Sequence, residues 1–90
     1  MENVALSLKE AEGFLKDHGR HYVFPVEPLF AIGLADDEGT HGVAVIGSVD
    51  SESAQIAHIY VDGSFQGYSL LYGCCVRAIM ALGYKRLILK

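Results

Sequence analysis

The segment from Asp62 to Ser69, DGSFQGYS, has the residue types of an anion-binding turn. The apolar run before it predicts a strand, and the run after it predicts a helix. A turn at the start of a helix presents unpaired backbone N–H groups at the positive end of the helix dipole. Gly63 and Gly67 allow the backbone to turn sharply and to approach a phosphate closely. A simple connecting turn is the competing interpretation, because the segment matches neither the Walker A loop nor the dinucleotide fingerprint.

Metal-ligand residue types occur at two other places, but their spacing does not favour a metal site. Cys74 and Cys75 are adjacent inside an apolar helical run. Neighbours on a helix point about 100° apart, so the two thiols cannot easily share a metal or bridge each other. His18 and His21 are three residues apart, but the intervening Gly19 indicates the end of a helix. We therefore expect no metal and two ordinary buried thiols.

The composition limits the class of protein. Ninety residues, 51% of them hydrophobic and 20% charged, predict one domain that spans residues 1–90. No apolar run approaches the roughly 20 residues of a membrane-spanning helix, and the acidic N-terminus lacks the basic region of a signal peptide. We therefore expect a cytoplasmic protein. A net charge of −4 with seven Lys and Arg argues against nucleic acid as a partner.

Capping signals predict the first helix. Ser7 is a favourable N-cap, Glu10 stands in capping-box spacing, and Gly19 fits the position after the last turn. Apolar residues follow at helical spacing, namely Leu8, Ala11, Phe14 and Leu15. The two prolines within residues 20–28 predict an extended loop after this helix.

The rest of the chain predicts four strands and one helix. Alternating runs with turn residues between them predict strands at 29–35, 42–49 and 54–61, then a helix at 67–82 and a strand at 86–89. The predicted order is α-β-β-β-α-β. This is an α+β fold in α/β/α layers, with an antiparallel three-strand meander followed by a β-α-β unit. The fourth strand should lie parallel to the third.

The motifs of this last unit resemble those of the GNAT (Gcn5-related) N-acetyltransferase superfamily. Ile59-Tyr60-Val61 matches the end of the superfamily's central strand, and Leu82-Gly83-Tyr84-Lys85 matches its helix exit. The order of the elements is also similar. The chain resembles still more closely a small phage- and prophage-associated branch of acetyltransferase-like proteins, in which Leu71-Tyr72-Gly73 and Arg77 have counterparts.

The resemblance implies acetyl-CoA (CoA) as the cofactor. Its pyrophosphate would be held by the turn and by the amides of Gln66 to Leu70, with Ser69 adding a hydroxyl. The usual loop, Q/R-x-x-G-x-G/A, is here Gln66 followed by Gly67, Tyr68 and Ser69, about three residues shorter. The predicted cofactor-binding residues are Ile59, Tyr60, Val61, Gly63, Gln66, Gly67, Tyr68, Ser69 and Leu70.

Acetyl transfer to an amine needs a base for the amine proton and a donor for the leaving thiolate. His58, on the strand beside the implied acyl position, is the candidate base, and an ordinary outward-facing His is the alternative. Gln55 stands where many relatives have Glu and cannot act as a base. Glu27 and Tyr72 are candidates for the substrate pocket, although a solvated carboxylate and a packing ring are the simpler interpretations.

Complete members of the superfamily continue beyond the strand at 86–89 with a helix and two more strands, and the resemblance implies that this chain stops before them. We expect either a CoA-binding N-acetyltransferase completed in an oligomer or a degenerate, non-catalytic GNAT-like domain that acts through protein–protein contact. A small unrelated α+β ligand-binding module is a third interpretation. The exposed edge of strand 86–89 and the largely apolar helix 67–82 predict a homodimer.

Overall fold

Five strands form one sheet in the same order in which they occur in the chain. The computed structural model describes residues 2–19, 27–62 and 65–89. The elements are β1 (Glu2–Leu6), α1 (Leu8–Asp17), β2 (Glu27–Asp36), β3 (Gly39–Ser48), β4 (Ser53–Val61), α2 (Phe65–Ala81) and β5 (Arg86–Leu89). Strands β1 to β4 are antiparallel, and β5 pairs with β4 in parallel. The predicted α+β class, the meander and the parallel last strand are confirmed.

Strand β1 corrects the predicted element order. The order is β-α-β-β-β-α-β, so four antiparallel strands precede α2 and the last strand is the fifth. The short sequence ENVAL has little strand signal of its own, and it is held by pairing with β2 from Glu2 opposite Ala35 to Leu6 opposite Ala31. Gly33 leaves the necessary space, because a Cβ there would lie 2.7 Å from Cδ1 of Leu6. Long-range pairing thus decides a structure that local propensity does not.

Several predicted boundaries also shift. Strand β2 begins at Glu27, inside the segment predicted as a loop, and its register is irregular between Pro28 and Phe30. Proline has no N–H to donate to the ladder, which explains an irregularity there. Residues 20–26 of that predicted loop lie outside the described residues. Helix α2 begins at Phe65, two residues before the predicted start at Gly67, and ends at Ala81.

The capping signals of α1 are confirmed in detail. The Glu10 N–H donates to Oγ of Ser7 at 3.0 Å, and the Ser7 N–H donates to Oε1 of Glu10 at 3.1 Å. At the other end, Gly19 has φ of 70°, a left-handed conformation that glycine adopts without strain. The helix therefore starts and stops where its local sequence specifies.

The two helices lie on opposite faces of the sheet. Ala31 and Ile32 are consecutive in β2, so they point to opposite faces, and both are buried. Ile32 belongs to a cluster built with α2, whose other buried members are Ala44, Ile46, Ala54, Ile56, Leu71, Cys75 and Ile79. Ala31 belongs to a second cluster, built with α1, whose other buried members are Ala11, Leu15, Val43 and Val45. The predicted three-layer arrangement is confirmed.

Strand β4 contains a bulge at Ala57. Val45 of β3 is opposite His58, whereas the next residue, Ile46, is opposite Ile56, so Ala57 has no counterpart. A bulge bends the strand that carries it and increases its twist. The bend occurs where β4 loses its other neighbour, since β5 pairs only with the residues from Ser53 to Ile56.

Candidate functional site

The second half of β4 has an open edge. Among the strands of the described residues, the segment 57–61 pairs with β3 alone, since β5 pairs with β4 from Ser53 to Ile56. An unpaired strand edge offers alternating backbone N–H and C=O groups to an extended partner. The edge leads directly to the start of α2. A linear ligand with amide groups and a terminal anion fits this sequence of features.

The start of α2 supplies the anion-binding end. Its first turn, from Phe65 to Tyr68, contains no acidic residue, so the positive end of the helix dipole is uncompensated there. Because the helix begins at Phe65, its free N–H groups are those at and before Gly67. The N–H groups of Ser69 and Leu70, which the sequence placed in the anion site, lie within the helix. Gly63 and the side chain of Gln66 lie outside the described part of the chain.

Side chains near this turn differ in exposure. Gly67 is buried, which brings the helix backbone close to its neighbours, whereas Ser69 is exposed and Leu70 is 48% exposed. The rings of Tyr68 and Tyr72 are stacked with centroids 6.3 Å apart, and Tyr72 also packs on the α2-side cluster. Among the described side chains of the first turns of α2, Ser69 is therefore the exposed hydroxyl.

The three residues of the strand-end motif divide between the two faces. Ile59 and Val61 pack against the α2-side cluster. Tyr60 packs against the α1-side cluster, with its ring centroid 6.2 Å from that of Phe14 and 5.5 Å from that of His18. At the open edge these three residues present backbone groups. A role in binding would therefore run through their N–H and C=O groups.

The remaining candidates lie apart from one another. His58 is half-buried opposite Val45, next to the bulge and on the same side of β4 as Tyr60. Glu27 pairs with Ser48, at the end of the sheet where β4 begins, and its side chain lies outside the described part of the chain. Ser48 is opposite Ala54, which lies seven residues before Val61, or about 23 Å along the strand. The structure therefore places His58 at the open edge and Glu27 at the far end of the sheet from α2's first turn.

Two imidazole–carboxylate pairs stand at the end of the sheet nearest to that turn, and the sequence did not indicate either. Nε2 of His41 lies 2.7 Å from Oδ1 of Asp36. Nε2 of His18, at the end of α1, lies 3.8 Å from Oδ2 of Asp62, the residue after β4. The hydrogen bond from His41, helped by the Glu38 N–H, lowers the pKa of Asp36 from its ordinary value. His18 was considered only as a metal ligand, and its contact with Asp62 depends on the fold.

Residues of types that can bind metal ions occur in two further groups. Asp36, Glu38 and His41 each have a potential ligand atom, and these three atoms lie within 4.8 Å of one another, close enough to meet at one ion. The Asp36–His41 hydrogen bond and the hairpin turn account for this proximity. Cys75 is buried and Cys74 half-buried, both as free thiols, and burial, followed by the neighbouring Cys74, raises the pKa of Cys75 to about 12.

A solved structure shares this fold. The crystal structure of a ribosomal-protein-alanine N-acetyltransferase from Brucella melitensis biovar Abortus 2308 is similar with a TM-score of 0.74 and 17% sequence identity, over 99% of this chain and 78% of that one. The chain therefore has the GNAT-like fold that its sequence predicted. No protein-family model and no curated protein matches the sequence. In the part of the chain that the structure describes, neither helix has the length and apolarity to cross a membrane.

Proposed function

We propose that this protein binds acetyl-CoA or CoA along the open edge of β4 and at the first turn of α2, as a member of the GNAT superfamily. The observation that carries the proposal is that segment 57–61 pairs, among the strands of the described residues, with β3 alone and lies beside a helix start without acidic residues. The shared fold with an N-acetyltransferase supports it.

Each part of the cofactor has a matching feature in this site. The pantetheine arm is extended and carries two amides, so it can add to the edge of β4 in the manner of a strand. Its pyrophosphate would reach the N–H groups at the start of α2, where the helix dipole favours negative charge. The hydroxyl of Ser69 is an additional donor. The acyl end would then lie near the bulge at Ala57.

The reaction proposed for this site is N-acetyl transfer to an amine. The amine nitrogen loses a proton and attacks the thioester carbonyl carbon; the C–S bond then breaks, and the CoA thiolate takes up a proton. His58, beside the bulge, is the candidate for removing the amine proton. A half-buried imidazole on this side of β4 can serve an acceptor that approaches from the α1 face while the cofactor lies along the strand edge.

A non-catalytic role through protein contact is the second candidate function, and one observation favours it. Met80 is 68% exposed, Leu82 59% and Ile88 42%, and all three lie on or beside α2 and β5. Large exposed apolar side chains can mark interaction surfaces, here at the end of α2 and on the edge strand β5. We therefore also propose a homodimer through β5 and α2, in which the second copy covers these residues. Such a dimer is compatible with either function.

Binding and catalysis can be tested separately. Titration calorimetry with CoA should give saturable binding, and amide spectra should show the largest shifts in segment 59–61 and from Phe65 to Gly67. Incubation with acetyl-CoA and a set of peptide and small-molecule amines should release free thiol if the transfer occurs. Binding without transfer would favour the non-catalytic role, and an unperturbed spectrum at saturating CoA would exclude both parts of the cofactor proposal.

The expectations of a cytoplasmic location, of no nucleic-acid partner and of kinship with the phage-associated branch stay predictions.

A further inference from the structure

His18 and Asp62 join the end of α1 to the end of β4. Nε2 of His18 faces Oδ2 of Asp62 at 3.8 Å, with side chains 29% and 58% exposed. The His18 ring also packs on Phe14, at 4.1 Å between ring centroids, and on Tyr60. Aromatic contacts on two sides fix the ring's position, so that its second nitrogen is directed at Asp62.

The hydrogen bonding of the ring determines which nitrogen can change its charge. Nδ1 of His18 lies 2.9 Å from the carbonyl oxygen of Phe14. A carbonyl oxygen only accepts, so Nδ1 must carry a hydrogen and donate. In the neutral ring Nε2 therefore has no hydrogen, and it presents a lone pair to the Asp62 carboxylate. In the protonated ring Nε2 carries a hydrogen and the pair becomes attractive, so the ring's protonation alone decides whether the charge of Asp62 is neutralised.

Asp62 is close to the proposed phosphate site. Three peptide units separate it from Phe65, the first residue of α2, so the two Cα atoms are at most about 11 Å apart. Its N–H donates to the carbonyl oxygen of His41 at 2.7 Å, which extends the β3–β4 ladder and fixes its backbone. That separation is comparable to the Debye length of about 8 Å at physiological ionic strength. An unneutralised Asp62 would therefore repel a phosphate at the helix start.

The other charged and titratable groups on the surrounding described elements include Lys16 and Asp17 on α1, His58 and Tyr60 on β4, and Asp36 with His41 on β2 and β3. Oδ1 of Asp36 is already paired with Nε2 of His41 at 2.7 Å. Among the ion pairs of the described residues, Asp62 takes part in one, and its partner is His18. The local balance is acidic, so the charge state of His18 has a direct effect on the field at the helix start.

From these contacts we infer that His18 is a further residue of the cofactor site: its protonated ring neutralises Asp62 and so strengthens the binding of the CoA phosphates. The inference rests on the proposed function and adds a proton-linked control of affinity to it. Imidazole side chains change their charge between pH 5 and 8. CoA should therefore bind more tightly as the pH falls from 8.0 to 5.5. By reciprocity, CoA should increase the protonated fraction of His18.

The test compares variants that change only one element of this pair. His18→Asn keeps a donor at the position of Nδ1 for the Phe14 carbonyl and removes Nε2, whereas His18→Gln places an uncharged amide near Nε2. Asp62→Asn removes the repelling charge with the same shape. Glu52→Gln, at the opposite end of β4, is the control for a general change of charge. The probes are CoA and, as a ligand without phosphates, pantetheine, each titrated calorimetrically at pH 5.5 and 8.0.

The measured quantity is the dissociation constant of CoA at pH 8.0 divided by that at pH 5.5. In the native protein this ratio should be about 3-fold larger than in either His18 variant, which is the effect expected of one partly exposed ion pair. Asp62→Asn should bind CoA about 3-fold more tightly at pH 8.0 and lose the same pH dependence, and Glu52→Gln should keep it. Protonation of the CoA phosphates is common to all variants and cancels in the comparison. The His18 ring signals in NMR spectra at pH 6.5 should shift towards the protonated form when CoA is added.

Equal pH ratios in the native protein and the three variants, with CoA still bound, would overturn this inference and leave the proposed function intact. The same pH dependence with pantetheine would also overturn it, because the phosphates would then not be involved. An absence of CoA binding at both pH values would reject the proposed function, and this inference with it.

Discussion

Arg86 donates a 3.1 Å hydrogen bond from Nε to Oγ of Ser53, which joins the first residue of β5 to the first residue of β4. Ser53 is 3% exposed. Arg86→Ala would therefore leave a buried hydroxyl without this partner, and we expect it to lower the free energy of unfolding by about 1 kcal/mol. Chemical denaturation monitored by circular dichroism measures the change.

Lys85→Ala is the matched control for this prediction. Nζ of Lys85 lies 4.0 Å from the same Glu52 carboxylate that Arg86 approaches at 3.5 Å, and the hydrogen bond to Oγ of Ser53 comes from Arg86. Its removal should change stability by less than about 0.5 kcal/mol. If the two variants lose the same stability, the loss comes from the surface charges and the Ser53 contact contributes nothing specific.

A negative charge at Ser69 should weaken CoA binding without harming the fold. Ser69 is exposed near the start of α2, where a carboxylate is compatible with the helix dipole. Ser69→Asp should raise the dissociation constant of CoA about tenfold by repulsion of the pyrophosphate, with the thermal midpoint unchanged or slightly higher. Ser69→Asn controls for side-chain shape, and Ser51→Asp, in the exposed β3–β4 turn, controls for net charge. A tenfold loss in Ser51→Asp as well would remove the support for this location.

A lysine on the α2–β5 surface should dissociate the homodimer. Met80 and Ile88 are exposed apolar residues of that surface, and burying an unpaired ammonium in an interface is unfavourable. Met80→Lys and Ile88→Lys should each shift the molecular mass in sedimentation equilibrium towards the monomer. Val49→Lys changes an equally apolar, 50% exposed residue outside this surface, and it should leave the mass unchanged. A native protein that is monomeric at high micromolar concentration contradicts the dimer.

The thiol of Cys75 should be inert in the folded protein. Burial raises its pKa to about 12, so at pH 8 the reactive thiolate is on the order of 10³-fold rarer than for a free thiol. In a Cys74→Ser variant, reaction with Ellman's reagent should proceed only through unfolding, and urea should accelerate it. The Cys75→Ser variant leaves the half-buried Cys74 for comparison. Fast, urea-independent labelling of Cys75 would show that α2 opens in the native state.

The capping box gives α1 a stability that depends on pH. The hydrogen bond from the Ser7 backbone, and then that with its side chain, lowers the pKa of Glu10 below its ordinary value of 4.5. A depressed pKa means that the folded state favours the ionised carboxyl. The contribution is therefore fully present above pH 4.5 and is lost as the pH falls through the lowered value. The stability difference between the native protein and Glu10→Gln should be largest at neutral pH and disappear in acid, in denaturation curves that take Glu12→Gln as the control.

How far the sequence could predict this molecule depends on the range of the interactions involved. The ends of α1 follow from residues within one turn of each other, Ser7 with Glu10 and Gly19 after the last turn, and these were predicted. Strand β1 exists because it pairs with β2 beyond an intervening helix, and no residue of ENVAL indicates this. The start of α2 moved to Phe65 because the length of a turn before a helix is poorly specified by glycines alone.

The same distinction holds for the candidate site. The strand and the helix that flank the candidate turn follow each other closely in the chain, so their order could be predicted from the sequence. The contact of His18 with Asp62 joins residues far apart in the chain, and it depends on how α1 packs across the end of β4. Likewise, the pairing of β4 with β3 from Ala54 to Val61 and with β5 from Ser53 to Ile56 is a property of the assembled sheet.

The bulge at Ala57 shifts by one residue the alternation of β4 side chains between the two faces of the sheet. Ala54 and Ile56, before it, and Ile59 and Val61, after it, all pack on the α2-side cluster, although a regular strand would turn odd- and even-numbered residues to opposite faces. Regular pairing of the same residues, without the bulge, would direct Ile59 and Val61 to the α1 face and Tyr60 to the α2 face. Deletion of Ala57 would remove the bulge and leave Ile59 and Val61 on the α2 face and Tyr60 on the α1 face. We conclude that the bulge takes up one residue of β4 without exchanging the two faces, so that deletion of Ala57 should preserve both clusters and straighten the strand.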